Sequence, residues 1–60
     1  MTIKMNVKLG THGVANLSVR FKERRLEIGA RCEVREAPNG RWIPCLVTDI
    51  REGVVFVDRH

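Results

Sequence analysis

Regular alternation of apolar and polar residues dominates the first half of this 60-residue chain. Residues 3–9, 15–21 and 26–34 each place an apolar side chain at every second position. A β-strand turns successive side chains to opposite faces, whereas an amphipathic helix needs apolar residues at intervals of three and four. The three segments therefore predict strands with one buried face.

The second half of the chain shows a different pattern. Between residues 42 and 50 both odd and even positions carry apolar residues, and residues 54–57 are apolar throughout. Such runs are typical of strands that are covered on both faces or covered by a partner. Turn-forming residues separate the five segments at 10–13, 22–25, 37–40 and 51–53. We predict a five-stranded antiparallel meander that forms a small barrel or a curled sheet.

Length restricts the functional classes. Sixty residues form one small domain, here residues 1–60, which excludes a dinucleotide-binding α/β unit or a TIM barrel. Hydrophobic residues make up 43% and charged residues 30%, as in a folded domain. No apolar run approaches the roughly 18 residues of a membrane span, and the first residues lack a signal-peptide core. We expect a cytoplasmic protein.

Strand register follows from which residues face inward. Pairing Phe21 with Leu26 leaves a four-residue connection and keeps the apolar residues of both strands on one face. A type I turn over residues 38–40 would then place Cys32 opposite Leu46. That register turns Cys32 inward and Cys45 outward, which excludes a disulfide between them and predicts two reduced thiols. A loop of two or four residues would shift the register.

The excess positive charge lies in the first hairpin. Residues 1–22 contain four basic residues and no acid, while residues 23–60 contain seven of each, and the net charge is +4. Arg20 faces Glu27 in the predicted register. A face of one sign attracts phosphate backbones, although the same residues would also serve solubility. The candidate nucleic-acid contacts are Lys4, Lys8, Arg20, Lys22, Arg24 and Arg25.

The residues that could carry chemistry are few and widely spaced. The histidines are His12, in a turn, and His60, the last residue, and Ser18 has no histidine or acid near it in the sequence. Together with Cys32 and Cys45 they are spaced too widely for a structural zinc site. There is no glycine-rich phosphate loop. We expect no enzymatic activity, no metal and no cofactor.

A row of apolar residues in the fourth strand suggests a protein interface. In the predicted register Ile43, Cys45 and Val47 face outward, next to Trp42 at the start of the strand. An exposed apolar row usually marks a partner or dimer interface. The alternative is an inverted strand, with this row inside the barrel.

Three segments resemble the Tudor-type SH3-like barrel pattern. They are residues 29–34, residues 39–50 with the Gly40-Arg41-Trp42 sequence, and residues 54–58 ending in Phe56-Val57-Asp58. The resemblance implies an all-β, SH3-like small barrel with a binding role. A methyl-lysine or methyl-arginine cage needs several aromatics, and only Trp42 matches that feature.

The predicted function is a non-catalytic interaction or regulatory module that binds a protein partner or a second copy of itself. The interface candidates are Trp42, Ile43, Cys45 and Val47. The alternative is a nucleic-acid-binding barrel that uses the basic hairpin. Neither hypothesis predicts a membrane or small-molecule partner.

Overall fold

The fold is a closed barrel of five strands. The computed structural model describes residues 2–60, and no helix occurs among them. The strands are β1 (Thr2–Leu9), β2 (Val14–Phe21), β3 (Arg31–Arg35), β4 (Ile43–Arg51) and β5 (Val54–Arg59). Consecutive strands pair antiparallel, and β1 pairs parallel with β5. An odd number of up-and-down strands leaves the first and last running in the same direction, so the closing pair is parallel. The predicted all-β barrel is confirmed.

The barrel interior is filled by the inward-facing side chains of all five strands. On β1 and β2 the buried residues follow the predicted alternation, and Val7 and Leu9 of β1 belong to the same core cluster as Leu17 and Val19 of β2. Fully burying one such aliphatic side chain contributes about 1.5 to 3 kcal/mol. The buried apolar residues are Val7, Leu9, Leu17, Val19, Ala30, Cys32, Val34, Cys45, Val47, Val55 and Val57. In the described part of the chain, nothing helical is long and apolar enough to cross a membrane.

The prediction for the third strand is wrong over its first half. β3 begins at Arg31, so residues 22–30 form a long connection in place of a four-residue turn. Phe21 pairs with Cys32 and not with Leu26. Leu26 and Ile28 are instead 42% and 66% exposed. The apolar–polar alternation of this segment resembles that of a strand, but the segment is a loop.

The carboxylate of Glu23 holds this connection in its irregular shape. Its two oxygens accept hydrogen bonds from the backbone N–H of Arg31 at 2.7 Å and from Arg31 Nε at 2.8 Å. These hydrogen bonds lower the pKa of Glu23. A turn in which the Ala30 N–H donates to the Glu27 carbonyl at 3.0 Å then leads into β3. Side-chain hydrogen bonding to the backbone thus replaces the strand ladder in this segment.

The register between β3 and β4 differs from the prediction by one residue. The turn at residues 37–40 is present, with the Gly40 N–H donating to the Ala37 carbonyl at 2.9 Å. The strands stop short of it, however, and Cys32 lies opposite Cys45 instead of Leu46. A shift of one residue exchanges the two faces of a strand. The predicted outward placement of Cys45 is therefore wrong.

A β-bulge interrupts the alternation of the fourth strand. The pairing of β4 with β5 shifts between Val47 and Asp49. Before the bulge Val47 pairs with the buried Val57, and after it Ile50 pairs with the buried Val55. The extra residue in a bulge changes which side chains face inward. Odd-numbered residues therefore face the core up to Val47, whereas Ile50, after the bulge, is 38% exposed although it lies opposite the buried Val55.

Candidate functional site

The outer face of β1, β2 and β3 carries two rows of polar side chains. In one row Lys4 lies opposite Ser18, and Ser18 lies opposite Arg35 on the next strand. In the adjacent row Thr2 lies opposite Arg20, and Arg20 lies opposite Glu33. Because neighbouring strands are about 4.8 Å apart, each row brings three strands within reach of one ligand.

Trp42 connects the two rows. The guanidinium carbon of Arg20 lies 3.9 Å from the centroid of the Trp42 ring, and that of Arg35 lies 4.5 Å from it. Both distances are within the range of cation–π attraction. Arg20 also forms an ion pair of 3.0 Å with Glu33. We call Arg20, Glu33, Arg35 and Trp42 the Arg–Trp cluster.

The two arginines differ in how their charge is balanced. Glu33 neutralises Arg20, whereas Arg35 forms no ion pair with any carboxylate of residues 2–60. The Nε atoms of both arginines are buried and lack a hydrogen-bond partner within the same described range. A guanidinium held against an aromatic ring without a carboxylate partner is available to an anion.

A groove beside Arg35 adds further polar groups. It has a volume of about 200 Å³. Lys4, Asn16 and Ser18 contribute an ammonium, an amide and a hydroxyl, and Glu36 also lines the groove. The Asn16 amide also donates to Asn6 Oδ1 at 3.3 Å. The groove therefore continues the donor-rich surface from the Arg–Trp cluster toward β1.

The structure brings together only part of the predicted basic patch. Lys4 and Arg20 lie on the face just described. Lys8 lies farther along β1 between Val14 and Phe56, where its ammonium donates to the Gly10 carbonyl at 2.8 Å. The three remaining candidates are exposed in the connection between β2 and β3, and they are Lys22, Arg24 and Arg25.

The predicted interface row lies inside the barrel. Cys45 and Val47 are almost fully buried, and Ile43 packs against the core. The premise of an exposed apolar row is therefore wrong, and the inverted alternative is correct. Trp42 is the one residue of that set on the outer face, half-buried against the two arginines.

The sequence prediction missed Arg35. The alternation of β3 implied that Arg35 faces outward. The predicted register, however, paired Phe21 with Leu26, six residues before its true partner Cys32. Only with Val19 opposite Val34 do Arg35 and Arg20 come close on the same face. The signal in the sequence is that Arg35 follows Glu33 by two positions and so shares its outward face. It points to Arg20 only if the length of the connection between β2 and β3 is known.

The two thiols form a second, separate feature. Cys32 and Cys45 are free, and each is only 1% exposed. Burial raises the pKa of Cys32 to about 11 and also raises that of Cys45. Across residues 2–60, no three His, Cys, Asp or Glu side chains come together in a way that could hold a metal ion.

Comparisons with known proteins assign no family to this chain. No family model, curated protein or solved structure matches it. Function has to be inferred from the geometry and charge of its own residues.

Proposed function

We propose that this barrel binds the phosphate backbone of nucleic acids through the Arg–Trp cluster and Lys4. The observation that carries the proposal is the position of Arg35, whose guanidinium lies 4.5 Å from the Trp42 ring centroid without a carboxylate partner in residues 2–60. Arginine provides several N–H donors in a plane, which matches the geometry of a phosphate group.

The charge of the chain supports binding to a polyanion. The net charge is +4, and residues 1–22 contain no acid. On the proposed face, three cations from three strands accompany two acids, Glu33 and Glu36. Contacts of this kind release counterions from the nucleic acid, so affinity falls steeply as salt increases.

Trp42 favours backbone contacts over base stacking. Its ring already carries two guanidinium groups, so it is not a free platform for a base. Its role is to hold Arg20 and Arg35 in a fixed orientation, which reduces the entropy lost when they bind phosphate. The proposed binding is accordingly independent of sequence.

Tryptophan fluorescence provides a direct test, because Trp42 is the single tryptophan of the chain. Short DNA and RNA duplexes and single strands are titrated at low salt while Trp42 emission is recorded. We expect a saturable change in emission that weakens with salt. Because the ring touches both arginines, phosphate binding to them alters its surroundings.

Lys4 and Lys8 offer a matched pair of variants for this test. Both lie on the outer face of β1, and both Lys→Glu substitutions change the net charge equally. Four residues of strand separate them by roughly 13 Å. We expect Lys4→Glu to weaken binding much more than Lys8→Glu. Equal losses would show that binding depends only on overall charge, and no binding at low salt would refute the proposal.

The SH3-like class is the fold assignment that we propose for this closed five-stranded meander. The Tudor-type function of that class, which is recognition of methylated lysine or arginine, is not supported by the surroundings of Trp42. A cage needs several aromatic rings around one cation. Here Phe21 packs against the core and Phe56 lies beside Arg51, so neither joins Trp42 in a cage.

A second candidate function is docking of a protein, including a second copy of this chain, on the connection between β2 and β3. Leu26 and Ile28 are both large, aliphatic and substantially exposed there. Exposed aliphatic pairs of this kind stabilise association when a partner covers them. Sedimentation over a range of concentrations tests self-association, and replacement of both residues by Ser should abolish any dimer. A constant monomer mass refutes self-association.

A further inference from the structure

Cys32 on β3 and Cys45 on β4 lie directly opposite each other in the barrel interior. Both side chains belong to the buried core, so they project to the same side of the sheet. Charge on Cys45 contributes to the raised pKa of Cys32, as expected for two thiols that are near neighbours. This pairing is a property of the tertiary fold, since twelve residues separate the two positions in sequence.

The backbone hydrogen bonds define the spacing of this pair. The Arg31 carbonyl accepts from the Lys22 N–H at 3.0 Å, on the side of β2, and the Pro44 carbonyl accepts from the His60 N–H at 2.9 Å, on the side of β5. The backbone groups of the next residue in a strand point to the opposite side, so those of Cys32 and Cys45 point toward each other and the two residues form a hydrogen-bonded pair. Directly opposed residues of this type have Cα atoms about 5.5 Å apart. Disulfides span Cα separations of about 4.4 to 6.8 Å.

A surface cavity borders both cysteine residues. It has a volume of about 180 Å³ and is also lined by Lys22, Arg31, Pro44 and His60. The cysteines themselves are almost fully buried, so a bulky disulfide reagent has poor access to them. Hydrogen peroxide is small enough for this cavity.

We propose that Cys32 and Cys45 are an oxidation site at which hydrogen peroxide forms a reversible disulfide between β3 and β4. One thiolate attacks a peroxide oxygen, which gives a sulfenic acid and releases hydroxide. The second thiolate attacks the sulfenic sulfur, forms the S–S bond and expels a second hydroxide. The two thiol protons convert both hydroxides to water, and the two cysteines lose two electrons to the peroxide.

Two features of the site determine its behaviour. Oxidation is slow at neutral pH, because the buried thiols ionise only at alkaline pH. The bond is also easily reduced. Opposed Cβ atoms are about 4.5 to 5.5 Å apart in a sheet, whereas a disulfide brings them to about 3.5 to 4.5 Å, so the strands must move closer. This site is independent of the proposed nucleic-acid interface, which lies on the outside of the barrel.

The test uses the full chain under native conditions. The protein is treated with hydrogen peroxide, unfolded in the presence of an alkylating reagent, and its intact mass is measured. We expect a single chain that has lost two hydrogen atoms and accepts no alkyl group, and that regains both thiols with dithiothreitol. The Cys32→Ser and Cys45→Ser variants should instead keep one alkylatable thiol or gain oxygen.

Three results on the wild-type protein would overturn the proposal. They are oxygen addition without loss of hydrogen, disulfide-linked dimers, and retention of both thiols under conditions in which the urea-unfolded chain is oxidised. Because each result is read from the wild-type chain, the proposal stays testable even if a serine variant fails to fold. An NMR spectrum of the oxidised protein shows whether the barrel is retained.

Discussion

Arg20 on β2 forms an ion pair of 3.0 Å with Glu33 on the neighbouring strand β3. The sequence alone suggested Glu27 as the partner, six residues earlier in the chain. The true pairing follows from the position at which β3 begins, and it places the Arg20 guanidinium against Trp42. One strand register therefore decides both the ion pair and the candidate binding face.

A double-mutant cycle between Arg20 and Glu33 tests this register. We expect Arg20→Ala and Glu33→Ala to show a coupling of about 0.5 kcal/mol in the free energy of unfolding, because both side chains are partly exposed. The cycle of Arg20→Ala with Glu27→Ala should show no coupling. Urea denaturation measures the three single and the two double variants, and coupling to Glu27 instead would contradict the register.

Replacement of Arg35 tests its role in phosphate binding. We expect Arg35→Ala to weaken binding of DNA and RNA and to reduce the slope of log affinity against log salt concentration by about one. The control is Arg59→Ala, which removes the same charge from an exposed position on β5. Affinities at several salt concentrations check this, and equal slopes for wild type and Arg35→Ala would exclude a phosphate contact.

Two valines of the first hairpin distinguish core from surface. Val7 is fully buried, whereas Val14 is 54% exposed. We expect Val7→Ala to lower the free energy of unfolding by roughly 2 kcal/mol, through lost burial and the cavity left behind. Val14→Ala should change it by less than about 0.5 kcal/mol. Chemical denaturation measures the difference, and similar losses would contradict the inward placement of β1.

Two glycines test the tight turn between β4 and β5. Glu52 and Gly53 both have positive φ angles, of 51° and 77°, as a two-residue type I′ turn requires. A methyl group at either Gly53 or Gly13 would meet no atom within 4 Å, so only the backbone conformation differs. We expect Gly53→Ala to cost about 1 kcal/mol and Gly13→Ala to be neutral or slightly stabilising. Thermal or urea unfolding compares the two variants.

Stability should fall at alkaline pH because of Cys32. Its pKa is about 11 in the folded protein, against 9.0 for an ordinary cysteine. The folded value is the higher one, so the stabilisation is complete below pH 9 and is lost as the pH rises toward 11. Burial is the main cause, and Cys45, Glu23 and Glu33 act in the same direction. Urea unfolding is measured between pH 8 and 11 with a reductant present. The free energy of unfolding should decline less with pH for Cys32→Ala than for wild type.

The local sequence was sufficient to predict those strands and turns that depend on interactions between neighbouring residues. The alternation in β1 and β2 predicted both strands and their buried faces. The Glu52-Gly53 and 37–40 turns were also predicted correctly, because their conformations depend on residues within the turn itself. All-β structure and the five-strand count follow from the same patterns.

The errors arose where the same local pattern is compatible with more than one pairing. Leu26 and Ile28 alternate like strand residues, yet the hydrogen bonds from Arg31 to Glu23 hold that segment as a loop. In β4 the row Ile43, Cys45 and Val47 faces the core instead of a partner, and a bulge after Val47 shifts the register of the rest of the strand. The alternation of apolar and polar residues predicts neither the hydrogen bonds to Glu23 nor the position of the bulge.

The sequence by itself determined that this chain forms a small basic all-β domain, because strand formation and net charge depend on residue type and spacing. Only the tertiary structure decided which residues meet. A strand has a side-chain period of two, so a shift of one residue reverses its faces, and the closure of the whole barrel selects among the possible shifts. That choice brought Arg35 to Trp42 on the outer face and placed Cys32 opposite Cys45 in the core.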